Sequence, residues 1–125
     1  MSRVIILGGG GFLGRKLAAA LVEKGAVAGA PISALVAADL AAPEGLPAGV
    51  EALALDVADR AATAAALAEA DVIFHLAAVV SGQAEAEFDV GMRVNLEGTL
   101  SVLEAARRGG RTPRVVFTSS VAVYG

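Results

Sequence analysis

Short apolar runs alternate along the chain with longer segments in which apolar residues recur at helical spacing. The first run covers residues 4–7 and stops at four consecutive glycines. Beyond the glycines, apolar positions between Phe12 and Leu21 follow the period of a helix. This pattern predicts a buried strand, a glycine turn and a helix, in that order.

Four further apolar runs predict four more strands, at residues 32–38, 50–55, 71–78 and 115–117. Connectors rich in glycine, proline or serine separate the predicted elements, at residues 25–31, 42–47 and 81–83.

Two more helices are predicted between these strands. An alanine-rich helix starts at the N-cap residue Asp59 and runs to about Ala70. A long helical region covers residues 85–108 and stops at residues 109–113, which contain two glycines and a proline. Because parallel neighbouring strands need helical crossovers, the alternation predicts the α/β class, with a doubly wound parallel sheet of five strands.

The glycine turn fits two spacings of a phosphate-binding motif equally well. Gly9, Gly11 and Gly14 satisfy G-x-G-x-x-G, and Gly8, Gly11 and Gly14 satisfy G-x-x-G-x-x-G. In either frame one glycine makes a tight turn, another lets a pyrophosphate approach the backbone, and the last lets the helix lie close to the sheet. The strand before and the helix after favour a Rossmann-type dinucleotide site over a merely flexible turn.

Asp39 follows the second predicted strand, where an acidic residue contacts the adenosine ribose hydroxyls of a dinucleotide. A 2′-phosphate would meet a negative charge there, so Asp39 favours NAD over NADP. Its distance from Gly14 exceeds the usual spacing of about 20 residues, which the connector at residues 25–31 explains. The alternative is that Asp39 only caps a loop.

Composition narrows the classes of partner and site. The 125 residues carry a formal net charge of −3 and no cysteine. This negative net charge gives no basic surface for binding nucleic acid or an acidic membrane. The lack of cysteine excludes disulfides and a thiolate metal site. No metal is expected. We expect no signal peptide, and the longest apolar stretch, residues 26–42, is interrupted by Gly29, Pro31 and Asp39. We therefore expect one soluble cytoplasmic domain.

Five motifs, taken in order, make the chain resemble the extended short-chain dehydrogenase/reductase superfamily, which includes NAD-dependent epimerases and dehydratases. These motifs are the glycine turn at residues 8–14, Asp39, Asp56-Val57, His-Leu-Ala-Ala at residues 75–78, and Ser-Ser-Val-Ala-Val-Tyr-Gly at residues 119–125. More narrowly, residues 80–85 and 88–95 look like the D-erythronate dehydrogenase branch, which uses NAD to oxidise the 2-hydroxyl of a four-carbon sugar acid.

The resemblance implies a role for particular residues. Asp56 and Val57 would contact adenine, and Ala77 and Ala78 would pass the nicotinamide-side ribose, although ordinary strand-end packing also explains the two alanines. The full cofactor-binding set that it implies is Gly8, Gly11, Phe12, Leu13, Gly14, Asp39, Asp56, Val57, Leu76, Ala77 and Ala78. By contrast, His75 alternates with Ile73 and Ala77 on one face of a buried strand, so we expect it to be a satisfied structural residue. We expect Asn95 to bond to neighbouring backbone.

The resemblance also implies Ser120 as the catalytic residue that hydrogen-bonds the substrate hydroxyl or carbonyl, and Ser81 as a second substrate contact. The superfamily mechanism needs a Tyr-x-x-x-Lys pair as well, and this pair does not occur in the sequence. Tyr124 matches a non-catalytic Tyr-Gly instead. We therefore expect residues 1–125 to be the NAD-binding, amino-terminal part of a longer protein, truncated before the Tyr-Lys helix and inactive alone.

Three functions are compatible with the sequence. The first is an NAD-dependent dehydrogenase of a small sugar acid, and the second is a nucleotide-sugar epimerase or dehydratase with bound NAD. The third is a non-catalytic dinucleotide-binding sensor. A small-molecule substrate is expected for the first two, and a homodimer is one assembly open to the full-length protein.

Overall fold

A computed structural model describes residues 1–79, 81–120 and 124 of the chain. Within these residues the strands are β1 (Ser2–Leu7), β2 (Ala26–Val27), β3 (Ala30–Asp39), β4 (Val50–Ala54), β5 (Val72–His75) and β6 (Arg114–Phe117). The helices are α1 (Phe12–Lys24), α2 (Arg60–Leu67), α3 (Ser81–Ala86), α4 (Phe88–Gly91), a π-helical segment (Met92–Gly98) and α5 (Thr99–Arg108).

Five parallel strands lie in the spatial order β4-β3-β1-β5-β6. The chain runs from β1 to β3 and β4 on one side, and then returns to β5 and β6 on the other. The strand order therefore reverses between β1 and β5, which confirms the predicted doubly wound parallel sheet. A ligand crevice forms in such sheets outside the carboxyl ends of the strands at this reversal.

Strand β1 is the centre of the core because both of its faces are covered. Ile5 and Leu7 pack under α2 and α5, together with Val102 of α5. Val4 and Ile6 point to the opposite face and pack with Leu21 of α1 and its neighbours. A strand buried on both faces has a continuous apolar sequence instead of an alternating one, as residues 4–7 do.

The predicted connector at residues 25–31 is wrong. Ala26 and Val27 form β2, which pairs antiparallel with the first residues of β3, Pro31 and Ala30. The two residues between them, Ala28 and Gly29, both have positive φ angles, 49° and 80°, as in a two-residue hairpin turn. The sheet thus has one short antiparallel strand, and β3 begins earlier than predicted.

The predicted loop at residues 81–83 is also wrong, since these residues form the first turn of α3. Tertiary packing explains the difference: a Cβ on Gly91 would lie 2.8 Å from Cβ of Ala84, so α3 and α4 are in close contact. The predicted N-cap is correct, because Oδ1 of Asp59 accepts the N–H of Ala62 at 3.1 Å. The helix that it starts ends at Leu67, earlier than predicted.

Candidate functional site

The glycine turn packs closely against the ends of β3 and β5. The N–H groups of Gly8 and Gly9 both donate to the carbonyl of Ala38 at 2.9 Å. Gly8 has a φ of 85°, and a Cβ there would lie 2.8 Å from the backbone nitrogen of Ala77. Neither spacing of the motif is excluded, because a Cβ on Gly9 would lie 2.7 Å from Cβ of Ala37.

Gly11 differs from the other glycines of this turn. A Cβ on Gly11 would have its nearest neighbour, the carbonyl oxygen of Gly8, at 3.5 Å, which is ordinary van der Waals contact. Gly11 is the N-cap residue of α1, and no described side chain caps this helix or places an acidic group in its first turn. The first N–H groups of α1 can therefore attract an anion.

A cavity of about 440 Å³ opens at the carboxyl ends of β1, β3, β4 and β5. It brings together eight of the residues predicted for the cofactor: Gly8, Gly11, Asp39, Asp56, Val57, Leu76, Ala77 and Ala78. The sequence did not single out eight others that also line it: Leu7, Ala38, Leu40, Leu55, Val79, Val90, Arg93 and Val94.

The carboxylate of Asp39 is held at the mouth of the cavity by two backbone donors. Oδ2 accepts the N–H of Gly10 at 3.0 Å, and Oδ1 accepts the N–H of Leu40 at 2.8 Å. Each carboxylate oxygen retains acceptor capacity for another donor, such as a hydroxyl group. Asp39 therefore connects the glycine turn with the end of β3 in one fixed orientation.

Asp56 lies on the loop after β4 and is also held from two elements. Its Oδ1 accepts the N–H of Ala58 at 3.0 Å, and its Oδ2 forms an ion pair with Arg93 of the π-helical segment. In the sequence, Arg93 lies within residues 88–95, which carry the narrower resemblance, but nothing in that stretch indicates its partner.

Asn95 bonds to backbone, as predicted, but its partner is Val79, 16 positions away in the segment that follows β5, and not its own neighbouring backbone. Its Oδ1 accepts the N–H of Val79 at 2.9 Å, and its Nδ2 donates to the carbonyl of Val79 at 3.1 Å. These two bonds tie the π-helical segment to a residue that lines the cavity.

His75 is buried at the end of β5, with 2% of its surface exposed. The hydroxyl of Thr99 donates to the carbonyl of Asn95, so it accepts from Nε2–H of His75 at 2.9 Å. Burial lowers the pKa of His75. The prediction of a satisfied histidine is right for Nε2 and wrong for Nδ1, which has no hydrogen-bond partner among the described residues.

Several predicted site residues lie away from the cavity lining. Phe12 is 80% exposed, and its ring contacts Nζ of Lys16 at 5.0 Å from the centroid. Leu13 is exposed as well, and Gly14 packs against the glycine turn itself. Ser120 follows β6 and is exposed.

Parts of the predicted substrate side lie outside the described residues. These parts are Val80, the side chain of Ser81, residues 121–123 of the motif that contains Ser120, and Gly125. Tyr124 is described and exposed. The predicted roles of Ser81 and Ser120 thus remain predictions.

Two classes of feature are absent from the described part of the chain. No helix there is both long and apolar enough to cross a membrane. No group of three or more histidine, aspartate or glutamate residues there is arranged to hold a metal ion.

Known proteins resemble this chain in both sequence and fold. Residues 4–125 match a family model described as the NAD dependent epimerase/dehydratase family. The chain is 49% identical to D-erythronate dehydrogenase from Cupriavidus necator, over 98% of this chain and 40% of that protein.

Two solved structures from Agrobacterium tumefaciens are similar. A nucleoside-diphosphate-sugar epimerase has a TM-score of 0.86 and 42% identity, covering 99% of this chain and 39% of the other. A mutant of uronate dehydrogenase complexed with NAD has a TM-score of 0.79 and 32% identity, covering 96% and 41%. The chain spans about 40% of the length of these relatives.

Proposed function

Because the chain belongs to the NAD dependent epimerase/dehydratase family, we propose that it is the NAD-binding part of an oxidoreductase that acts on a small sugar acid. The observation that carries the cofactor proposal is Gly11. The protein's own packing leaves room for a Cβ there, yet the residue lines the cavity at the start of α1. An incoming pyrophosphate explains why this position has no side chain.

The remaining cavity residues fit the other parts of the cofactor. Asp39, with both oxygens oriented, suits the adenosine ribose hydroxyls, and the loop at Asp56 and Val57 suits the adenine. Ala77 and Ala78 leave space toward the nicotinamide side. When bound, NAD would supply the hydride acceptor. This chain's residues would hold it in place, and Ser120 would orient the substrate hydroxyl.

Cofactor preference tests the first half of the proposal. The wild-type protein should bind NAD more tightly than NADP, because the fixed carboxylate of Asp39 repels a 2′-phosphate. Asp39→Ala should narrow this preference, as measured by calorimetric titration of both dinucleotides. Tighter binding of NADP by the wild-type protein would show that the assignment of Asp39 is wrong.

An assay of turnover tests the part of the proposal that concerns the substrate, and it requires the full-length protein. We expect D-erythronate to reduce NAD, and we expect Ser120→Ala to lower kcat by about 10²–10³ while leaving NAD affinity unchanged. A Ser120→Ala enzyme with wild-type kcat would remove this residue from the mechanism.

The similarity to a nucleoside-diphosphate-sugar epimerase supports a second candidate function, epimerisation of a nucleotide sugar. The same preparation distinguishes the two candidates. Net formation of NADH with a hydroxy acid supports the dehydrogenase. Interconversion of nucleotide sugars without net NADH formation supports the epimerase.

A further inference from the structure

Arg93 joins two elements that lie far apart in the sequence. It extends from the π-helical segment to the loop after β4 and pairs there with Oδ2 of Asp56, 37 positions away. The other oxygen, Oδ1, is already bound by the N–H of Ala58. The Asp56 carboxylate therefore has one defined orientation in the cavity wall.

Close packing of the π-helical segment brings Arg93 to this place. A Cβ on Gly98 would lie 2.6 Å from Cγ2 of Val57, so the segment rests directly on the residue after Asp56. A π-helical turn rotates the side chains after it relative to those before it, compared with a continuous α-helix. Such turns are frequent at functional sites. Arg93 lines the same cavity as Asp39 and Asp56.

The exposure of this ion pair argues against a mainly stabilising role. The side chain of Arg93 is 61% exposed and that of Asp56 is 28% exposed, so solvent screens their attraction. A carboxylate has about four acceptor positions, and Ala58 and Arg93 use two of them. The remaining positions can accept donors from a ligand, and their direction is set by the two fixed partners.

We propose that Arg93 is a positioning residue for the adenine end of the cofactor site: it holds Asp56 so that the free acceptor positions of the carboxylate meet the exocyclic amino group of the base. This inference rests on the proposed function and adds a residue to it. A 6-oxo purine presents an acceptor instead of the amino donors, and the oriented carboxylate disfavours it. Arg93 thereby contributes to the choice of base.

The experiment compares three ligands on four proteins by calorimetric titration. The ligands are NAD, nicotinamide hypoxanthine dinucleotide, which has the 6-oxo base, and nicotinamide mononucleotide, which has no purine. The proteins are the wild type, Arg93→Met, Arg93→Lys and the control Arg107→Met. Arg107 is matched to Arg93 in exposure, at 66%, and in having a carboxylate partner, Glu104, but it lies outside the cavity lining.

We expect the wild type to prefer NAD over the hypoxanthine analogue. Arg93→Met should weaken NAD binding about three- to tenfold and move the ratio of the two affinities toward one. The NAD affinity of Arg93→Lys should lie between those of the wild type and Arg93→Met, because lysine keeps the charge but lacks the planar fork of donors. Mononucleotide affinity should stay constant throughout, and Arg107→Met should behave as wild type.

Two results would overturn this inference while leaving the proposed function intact. One is an unchanged ratio of the two dinucleotide affinities in Arg93→Met. The other is a loss of mononucleotide affinity in Arg93→Met that equals its loss of NAD affinity, since this would indicate a general effect of charge. A wild-type protein that binds no NAD would instead overturn the proposed function. Thermal unfolding of each variant, expected near that of wild type, ensures that folded proteins are compared.

Discussion

Among single residues, Gly11 and Gly14 are glycines for different reasons. A Cβ on Gly14 would collide with the carbonyl oxygen of Gly8, whereas a Cβ on Gly11 would find its nearest neighbour at 3.5 Å. The packing of the protein itself therefore requires glycine at position 14 and leaves room for a Cβ atom at position 11. At position 11, glycine is required only when a pyrophosphate must approach the backbone.

This difference predicts opposite results for two substitutions. Gly11→Val should still fold, with a loss of about 1 kcal/mol because valine is a poor N-cap residue, and lose NAD affinity by at least about tenfold. Gly14→Ala should instead lower the free energy of unfolding by about 1–3 kcal/mol, because backbone atoms must move to admit the methyl group. Thermal unfolding and calorimetric titration measure the two effects. Full NAD affinity in a folded Gly11→Val protein would place the cofactor elsewhere.

His75 predicts a pH dependence of stability. Burial lowers its pKa in the folded protein from the ordinary value of 6.5. As the pH falls below about 6.5, the unfolded chain therefore binds a proton that the folded protein does not, and stability decreases. We expect the free energy of unfolding to fall between about pH 7 and pH 5, and His75→Gln to flatten this part of the profile.

Denaturant unfolding at several pH values checks this prediction. Asp71 and Glu104 do not interfere, because their partners lower their pKa values from 3.8 and 4.5. Backbone N–H donation from Arg3 is the main cause for Asp71, and hydrogen bonding by Arg107 is the main cause for Glu104. Both groups contribute stability above these values that is lost only at lower pH. Parallel profiles of wild type and His75→Gln would contradict the assignment.

The residues that line the cavity were predictable where a local pattern marks them. Glycines after an apolar run and an acid after the next strand are such patterns, and they located Gly8, Gly11 and Asp39. Arg93 was not predictable, because its partner is 37 positions away and the contact depends on how a helix packs. The Nδ1 of His75, which has no hydrogen-bond partner in the part of the chain that the structure describes, likewise depends on tertiary structure.

For whole elements, periodicity located the long strands and helices and failed where elements are short or irregular. The strand β2 has two residues, too few for any alternation to be visible. The helix α3 contains Ser81 and Gly82, which are weak helix formers, and it is held by contact with α4. The π-helical segment keeps an apolar pattern close enough to an α-helix that the sequence does not reveal it.

The packing of the π-helical segment predicts different outcomes at two helical glycines. Gly98→Ala should lower the free energy of unfolding by about 1–3 kcal/mol, because the new Cβ would lie 2.6 Å from Val57. A Cβ on Gly82 in α3 would meet no atom of the described residues within 4 Å, so Gly82→Ala should raise stability by up to about 1 kcal/mol.

Chemical denaturation of the two variants tests this contrast. Gly98→Ala should also weaken NAD binding, since it moves the segment that carries Arg93 and Asn95. If Gly98→Ala is as stable as wild type, the segment does not rest on Val57 as the structure indicates.

On the scale of the whole molecule, the order of elements gave the fold class, and the motifs at the ends of the strands gave the family. The family match over residues 4–125 confirms the second prediction, and NAD is the cofactor that the family's description names. The spatial order of the strands was not predicted, because more than one order of a doubly wound sheet is compatible with the same alternation of strands and helices. The substrate could not be predicted from the sequence, because the chain spans only about 40% of the length of its relatives.

The last prediction concerns residues 1–125 produced alone: they should bind NAD but show no dehydrogenase turnover. Turnover needs a group that takes the hydroxyl proton, and no described residue suits this task. His75 is buried, and residues 1–125 contain no Tyr-x-x-x-Lys pair. In addition, β6 is the edge of the described sheet and exposes 55% of Phe117, so this protein should aggregate readily.

NAD titration, an assay of NADH formation and light scattering test these three expectations on one sample whose mass is first verified. Phe117→Lys is the informative variant, since a charge on the exposed edge should reduce aggregation without restoring turnover. Reduction of NAD by the verified 125-residue protein with D-erythronate or a similar hydroxy acid would show that the base lies within these residues. The requirement for a Tyr-Lys pair supplied by further chain would then be wrong.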